Sequence, residues 1–503
     1  MRAVTAAQMR AIDAAAVARD GEVALMRAAG DAIAQLIDRY ARGGGPVIAI
    51  AGDGNNGGDA YAALAAYDGA RPRIVYGSPD VRGSEARQDA RARARVAGVE
   101  ERPLPPDPDA LRDASLLLDG VLGANARLPL DERSGALAEA MNRAGVPVLA
   151  IDLPTGIEPT TGAADARAVH AAAAIALGRP KLGCFLDAGR DHLGALWCAP
   201  IGMRDDDAAG IGEPVEVLAP DEFRALLPIR AAESDKRASG APLIVAGSTQ
   251  FPGAAVLATW GAARAGAGYV TVAVPEGAAS TLRAHLIEQV VVTYDERDPQ
   301  AAVRTILDLT GRCNAIGIGP GLGLSDAFGD IVRGVLDATT LPVVADASAL
   351  YHLAKLLDRY RTKAMVLTPH AGEFARLSGE GTIAPGARLG RLRAFVQKYG
   401  IVTLLKGRTT LIGWPGMTAA NPTGSNALAT AGTGDVLTGI IATLLAQGLG
   451  PADAARAGAY WHGRAGSLAQ TWRPRGVIAR DVAEALGQAS EVPLDGNGLV
   501  SLF

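Results

Sequence analysis

At 503 residues the chain is too long for one hydrophobic core, and its 49% apolar content marks a globular protein with two domains as the default. A net charge of -4, from 49 basic and 53 acidic residues with only 4% aromatic, supplies neither a basic field nor stacking surface for nucleic acid, and no attraction to an anionic membrane. Cys184, Cys198 and Cys313 stand apart without a CxxC pair, which argues against a disulfide framework or structural zinc. No signal peptide or run of 18 uncharged apolar residues is evident, so a cytoplasmic protein is expected.

The first half opens with an amphipathic helical stretch, "ALMRAAGDAIAQLI". Strand candidates follow in "PVIAIA", "RPRIVYG", "ASLLLDG", "VPVLAID" and "AAAAIALG", separated by Ala- and Arg-rich helical spacers. This is βαβ alternation, which predicts a mostly parallel sheet with helices on both faces, a Rossmann-like three-layer sandwich. Between about 202 and 241 the pattern breaks into charged, Gly- and Pro-bearing sequence, and the boundary is placed at 1–215 and 216–503. The alternation restarts in "APLIVAGS", "GYVTVAVP", "AIGIGPGLG", "LPVVADASAL", "AMVLTPHAGE" and "IVTLLKGRTTLIG", and a helical tail begins at Asp435. The turn chemistry at the strand ends differs from that of the first half, so the second α/β unit is not a repeat.

In "IAIAGDGNNGGDAYAAL", residues 48–64, a Gly- and Asn-rich loop joins a strand's carboxyl end to a helix's amino end. It has neither GxGxxG spacing nor the Lys of a GxxxxGK loop. "LLLDGVLGANARLPL" sets Asp119 at another strand end, and "LAIDLPTG" sets Asp152 and Thr155 at a third. Ligands of open α/β sheets sit outside the carboxyl ends of the strands, where Asn55, Asn56, Asp59, Asp119, Asp152 and Thr155 would converge. Such oxygen-bearing groups suit a hard cation.

"GDGNNGGDA", "DGVLGAN", "DLPTG" and "GRPKLG", with "LMRAAG" near the start, resemble the motifs of the NAD(P)H-hydrate epimerase domain. The resemblance implies that Asn55, Asn56, Gly57, Gly58 and Asp59, with Gly123, Ala124, Asn125, Ala126, Arg127, Leu128 and Pro129, bind the hydrated cofactor. It further implies that Asn56, Asp119 and Thr155 hold potassium, and that Asp152 binds substrate and acts as acid/base at the hydrated ring carbon. The chain departs from the family pattern at Ala60, at the Gly123-Ala124-Asn125 loop and at Thr155, where the family usually has Ser and the hydroxyl is kept.

"NALATAGTGDVLTGIIATLLAQGLG" leaves the backbone N–H groups of Gly432, Thr433 and Gly434 bare where an apolar helix begins, an anion hole reinforced by the helix dipole. Asp435 there is either a base that takes a hydroxyl proton during phosphoryl transfer or a helix cap. "GTGD" with "TPHAGE", "LLKGRTT" and "GIGPGLG" resembles the ribokinase-like fold. With "SDKRASG", "GAAVLA" and "AGAGYVTVAVP" it resembles the NAD(P)H-hydrate dehydratase branch, and the two halves together resemble the bifunctional NAD(P)H-hydrate repair enzymes. In that family a nucleotide phosphorylates the ring hydroxyl and phosphate then leaves. The resemblance implies that Ala254, Gly323, His370 and Asp435 contact the hydrate, with Asp435 as base. It also implies that Lys406, Gly407, Arg408, Thr409, Thr410 and Gly434 contact ADP or ATP, with magnesium present, in a homo-oligomer. "SDKRAS" and Ser348 of "DASAL" depart from the family pattern, and His462 reads as structural. The rival reading is a ribokinase-like small-molecule kinase with an accessory ligand-binding amino-terminal domain.

Overall fold

The computed structural model describes residues 1–503 except 81, 82, 187, 205, 206, 208–211, 230–235, 238, 385, 493–498 and 503. Ser234, Asp235 and Ala238 of the SDKRAS stretch therefore lie outside the described residues. The chain divides into two compact units, Met1–Val215 with Leu494–Phe503, and Glu216–Pro493.

In the first unit the strands β1 (Val47–Ala51), β2 (Arg73–Gly77), β3 (Glu100–Pro103), β4 (Leu116–Gly120), β5 (Val148–Ile151), β6 (Ala173–Leu177) and β7 (Ala195–Ala199) lie in the order β3-β2-β1-β4-β5-β6-β7. All these pairings are parallel. The order reverses between β1 and β4, and a ligand crevice opens at such a reversal. Alternation along β1 builds the layers: Val47, Ala49 and Ala51 pack one face with Ile33 and Leu64, whereas Ile48 and Ile50 pack the other with Leu117 and Leu137. Buried on both faces, β1 reads as an unbroken apolar run. Four helices matter for the site: α1 (Ala6–Asp20), α2 (Glu22–Tyr40), α3 (Asn55–Ala66) and α4 (Glu85–Val96).

Residues 499–502, assigned by sequence to the second domain, belong instead with the first unit. There Val500–Ser501 pairs antiparallel with β7. The pairing takes up backbone groups that an outer strand would otherwise leave open.

The second unit carries β8 (Pro242–Val245), β9 (Thr271–Pro275), β10 (Val290–Tyr294), β11 (Ala315–Ile318), β12 (Val343–Ala345), β13 (Met365–Leu367), β14 (Val402–Leu405), β15 (Leu411–Trp414) and β16 (Met417–Ala420). Their order is β10-β9-β8-β11-β12-β13-β14-β15-β16, parallel through β14 and antiparallel beyond it. The stretch "IVTLLKGRTTLIG" is the hairpin β14–β15, with residues 406–410 as its turn. This mostly parallel sheet and its helices bear out the expected second α/β domain. Helix α5 is Pro252–Arg264, and the expected helical tail comprises three helices, α6 (Thr433–Ala446), α7 (Pro451–Trp472) and α8 (Ala479–Ala489).

Glycines bring α5 and α6 into backbone contact. A Cβ on Gly439 would lie 2.0 Å from the Ala258 carbonyl oxygen, and one on Gly261 would lie 2.3 Å from that of Val436. Apolar on nearly every side and buried, α6 is a core helix whose amino end points the GTGD turn at the site.

Candidate functional sites

At the reversal in the first sheet, residues 52–54 lead from β1 into α3. The helix starts after Gly54 with no side-chain cap, so its first N–H groups are left for a ligand anion. Only glycine fits at 57, where a Cβ would stand 2.1 Å from the Gly52 carbonyl oxygen. Arg87, 1% exposed on α4, donates from Nη1 to the carbonyls of Gly52 at 2.6 Å and Gly54 at 2.9 Å. Burial pushes its pKa down, and the guanidinium sets positive charge beneath the loop.

Asp13, Asn55, Asn56, Asp59, Asp152 and Lys181 line one cavity of about 450 Å³, together with Gly123, Ala124 and Asn125. Ala126, Arg127, Leu128 and Pro129 continue the loop without lining that cavity, and Gly57 and Gly58 are buried in α3 behind it. Asp152 follows β5 with φ at +67°, a left-handed conformation that Asp tolerates better than most residues. Its Oδ2 accepts from the Ala124 N–H at 3.0 Å. Its Oδ1 accepts from the Leu177 N–H at 3.2 Å and from the Lys181 ammonium in a close ion pair. Lys181, 1% exposed, also donates to the Leu177 carbonyl at 3.0 Å.

Asp119 and Thr155 meet as expected, but behind the cavity wall. Asp119 accepts from the Thr155 N–H at 2.8 Å and the Thr155 hydroxyl at 2.7 Å, and Thr155 Oγ1 accepts from the Leu122 N–H at 3.0 Å. Burial pushes the Asp119 carboxyl up to about 6 against the pull of these donors. Asn56 Nδ2 is buried without a partner. Burial, reinforced by the Asp152 charge, holds Asp59 well above the usual carboxylate range.

Three residues of this site escaped sequence reasoning. Lys181 sits inside the quoted "GRPKLG", where a lysine at a buried strand end was the available signal. Asp13 lies in the amphipathic opening and Arg87 on an Ala- and Arg-rich helical spacer, neither of which marked it out.

In the second unit, α6 begins at Gly432, φ +89°, with no side-chain cap. Asp435 stands in its first turn and, among the described residues, accepts no hydrogen bond, so it does not cap the helix. Burial, with the negative Asp346 adding, pushes its carboxyl up to about 7, and Lys406 opposes the rise. Asp346, 2% exposed, accepts from Lys406 Nζ at 2.8 Å and from the Thr438 hydroxyl at 2.9 Å. Burial works against the Lys406 ammonium, but Asp346 and Glu373 outweigh it and hold its pKa above the usual lysine value. A Cβ on Gly434 would lie 3.4 Å from Lys406 Nζ, so glycine keeps the helix entry open beside this pair.

His370 heads Ala371–Ser378, its Nδ1 accepting from Gly372 N–H at 3.0 Å and Glu373 N–H at 3.3 Å, while Nε2 of its largely exposed ring lies 3.6 Å from Glu373 Oε2. Gly323, φ +97°, donates its N–H to the Ser348 hydroxyl at 3.1 Å. The serine therefore braces the Gly-rich loop after β11. Ala254 packs beside that loop, since a Cβ on Gly321 would meet Ala254 Cβ at 2.7 Å. Arg388 threads the turn between β14 and β15, donating to the carbonyls of Leu405, Lys406 and Thr409. This fixes Lys406 while Gly407 and Arg408 form the turn's outer part; Thr409 is buried, and the Thr410 carbonyl accepts from Asn421 N–H at 2.9 Å. His462, read as structural, is buried against Thr433 with Nε2 unpartnered, and burial lowers its pKa to about 4.

The cysteines are free and buried. No helix among the described residues is long and apolar enough to cross a membrane.

Comparison with known proteins matches residues 22–183 to the YjeF-related protein N-terminus family and residues 242–488 to the NAD(P)H-hydrate dehydratase family. A bifunctional NAD(P)H-hydrate repair enzyme of Moorella thermoacetica is 35% identical, the match covering 97% of this chain and 96% of the relative. One of Mycobacterium leprae is 36% identical over 92% of this chain and 93% of the relative. Among solved structures, the ADP/ATP-dependent NAD(P)H-hydrate dehydratase of Bacillus subtilis is 33% identical with a TM-score of 0.48, covering 55% of this chain and 97% of that one. With relatives matched along nearly the whole length, this chain belongs to the family of bifunctional NAD(P)H-hydrate repair enzymes.

Proposed function

We propose that the chain repairs hydrated NAD(P)H in two reactions, epimerisation in the first unit and ADP- or ATP-dependent dehydration in the second. The observation that carries this is the pairing of two unlike sites in one chain. One is a cavity with a carboxylate–lysine pair at Asp152 and Lys181; the other is an uncapped helix entry with Asp435, which accepts no hydrogen bond among the described residues, beside the Asp346–Lys406 pair.

In the second unit the N–H groups of Gly432 and Gly434, the Thr433 N–H being taken up by the Thr430 carbonyl, and the Lys406 charge receive the nucleotide's phosphates. Asp435 takes the proton of the ring hydroxyl as phosphoryl transfers to its oxygen; the phosphate then departs with the C–O bond pair, and the adjacent ring carbon gives up a proton to solvent while its C–H bond pair forms the restored double bond. Magnesium fits as an ion carried by those phosphates: among the described residues no three His, Cys, Asp or Glu side chains group to hold a metal, and magnesium keeps phosphate and water ligands readily. In the first unit, Asp152 holds the hydrated ring and acts as acid/base in exchange at its hydroxyl-bearing carbon. The N–H groups of α3, above Arg87, hold the phosphates. Potassium fits Asn56, Asp119 and Thr155, because they offer oxygen donors and turning the unsatisfied Asn56 amide supplies another. The ion would add positive charge beside the anionic cofactor.

The test incubates the protein with mixed hydrate epimers and ADP or ATP and follows recovery of reduced-nicotinamide absorbance. Wild type should convert the whole mixture, while Asp152→Ala should stall when the competent epimer is used up and finish at the spontaneous rate. Phosphorylation of the hydrate without recovered absorbance would favour the small-molecule kinase reading instead.

A further inference from the structure

Epimerisation at a hydroxyl-bearing carbon makes two proton demands, one on each side of the bond. The departing oxygen needs a proton to leave as water, and the incoming water must shed one. Asp152 is poorly placed to meet both, because its two oxygens already accept from Ala124 N–H, Leu177 N–H and the Lys181 ammonium.

Another carboxyl faces the same cavity with its oxygens uncommitted. Asp13 projects from α1 on the stripe of Met9 and Val17, four residues away on either side, and all three line the cavity. Among the described residues its carboxyl accepts no hydrogen bond, yet it is near enough to feel the charges of both Lys181 and Asp152.

The helix is held firmly. Thr5 caps α1 in a reciprocal capping box with Gln8, and Ala6 N–H donates to the Thr160 hydroxyl at 3.1 Å. Just before it, Val4 N–H donates to the Pro180 carbonyl at 3.0 Å, and Leu182 N–H donates to the Val4 carbonyl at 2.8 Å. The segment that carries Asp13 is thus stitched to the segment that carries Lys181. Burial pushes Asp13 up to about 6, so it exchanges a proton readily near neutral pH. Asp59 also lines the cavity and, among the described residues, accepts no hydrogen bond; burial raises its pKa above the usual carboxylate range.

We propose that Asp13 is the second acid/base group of the epimerisation site, working opposite Asp152. The inference rests on the epimerase reading of this cavity. In one direction the ring nitrogen's lone pair moves toward the hydrated carbon, the C–O bond breaks, and its electron pair leaves on oxygen, which takes a proton from Asp13 and departs as water. Water then forms a C–O bond on the opposite face and gives its proton to Asp152. The reverse direction exchanges the two roles, and solvent protons reset the pair, so no oxidant or co-reactant is needed.

The test uses the full chain and one pure hydrate epimer without nucleotide, with the other epimer measured by chromatography. Asp13→Asn should lower kcat for interconversion by about 10² or more while KM stays within about threefold, and Asp13→Glu should recover part of the rate. Thermal melting of each variant checks that the first unit is folded. A merely structural aspartate would show a lowered melting temperature with KM and kcat moving together. An Asp13→Asn variant that melts normally and interconverts epimers within about threefold of wild type would overturn the inference and leave the epimerase reading standing. A wild-type chain that fails to interconvert them would overturn both.

Discussion

Removing the charge of Asp435 should damage activity and strengthen the fold at once. Its carboxyl is displaced from the ordinary 3.8 to about 7 by burial and by Asp346. At about 1.4 kcal/mol per tenfold of proton affinity, the displacement corresponds to about 4 kcal/mol of cost for keeping the group ionised in the folded state. Relaxation around the charge lowers the measurable share, so Asp435→Asn should stabilise the second unit by about 2 kcal/mol at pH 8. The sign follows from proton uptake. Between about 4 and 7 the folded state binds more protons at this position than the unfolded state, so the wild type loses stability as pH rises through that window. The advantage of Asn should be full above about 7 and should fade toward pH 4. Urea titration followed by tryptophan fluorescence reads the right unit, because Trp260, Trp414, Trp461 and Trp472 lie in the second unit and Trp197 in the first. In the same variant, nucleotide-dependent dehydration should fall by about 10² to 10⁴. A helix-dipole or capping role predicts the opposite sign, a loss of about 1 kcal/mol. An Asn variant less stable than wild type at pH 8 would refute the argument.

Arg87→Leu should leave the Gly52 and Gly54 carbonyls without their donor, lower the first unit's stability by about 2 to 4 kcal/mol in denaturant titration, and raise KM for epimerisation. Ser348→Ala removes the acceptor of the Gly323 N–H and should raise KM for the hydrate in dehydration about fivefold, in line with about 1 kcal/mol, with kcat nearly unchanged. Replacing potassium by lithium should slow epimerisation, and Asp119→Asn should remove the dependence on the ion; identical rates in both salts would remove the cation from the first site.

Central strands were legible because burial on both faces writes an unbroken apolar run, as in Val47–Ala51 and Leu116–Leu118. Edge strands were not: Glu100–Pro103 is largely polar and partly exposed, and β10, Val290–Tyr294, is only half-buried. The strand-end carboxylates Asp119 and Asp152 announced themselves by following such runs. Asp346 is the instructive miss. It sits in the quoted "DASAL", but its importance comes from the Lys406 ammonium sixty residues later in sequence, and only the β12–β13–β14 neighbourhood brings the two together. Asp13 was hidden for the same kind of reason, since an aspartate among alanines on a helix looks solvated until another segment closes over it. Ser348 looked like the loss of a family carboxylate, and the fold gives it a different partner in Gly323.

The return of Val500–Ser501 to β7 has a bearing on how the chain is made. The first unit is discontinuous, with the whole second unit inserted ahead of its last strand. During synthesis at about 5–20 residues per second, the interval between β7 and its closing partner is on the order of tens of seconds. Throughout that interval a nascent first unit presents an open strand edge, the kind of surface that pairs with neighbouring chains on a polysome. The closing strand follows the second unit in sequence, so a ribosome that stalls within that unit leaves the edge open and exposes an unfinished product to the chaperones and proteases that recognise one.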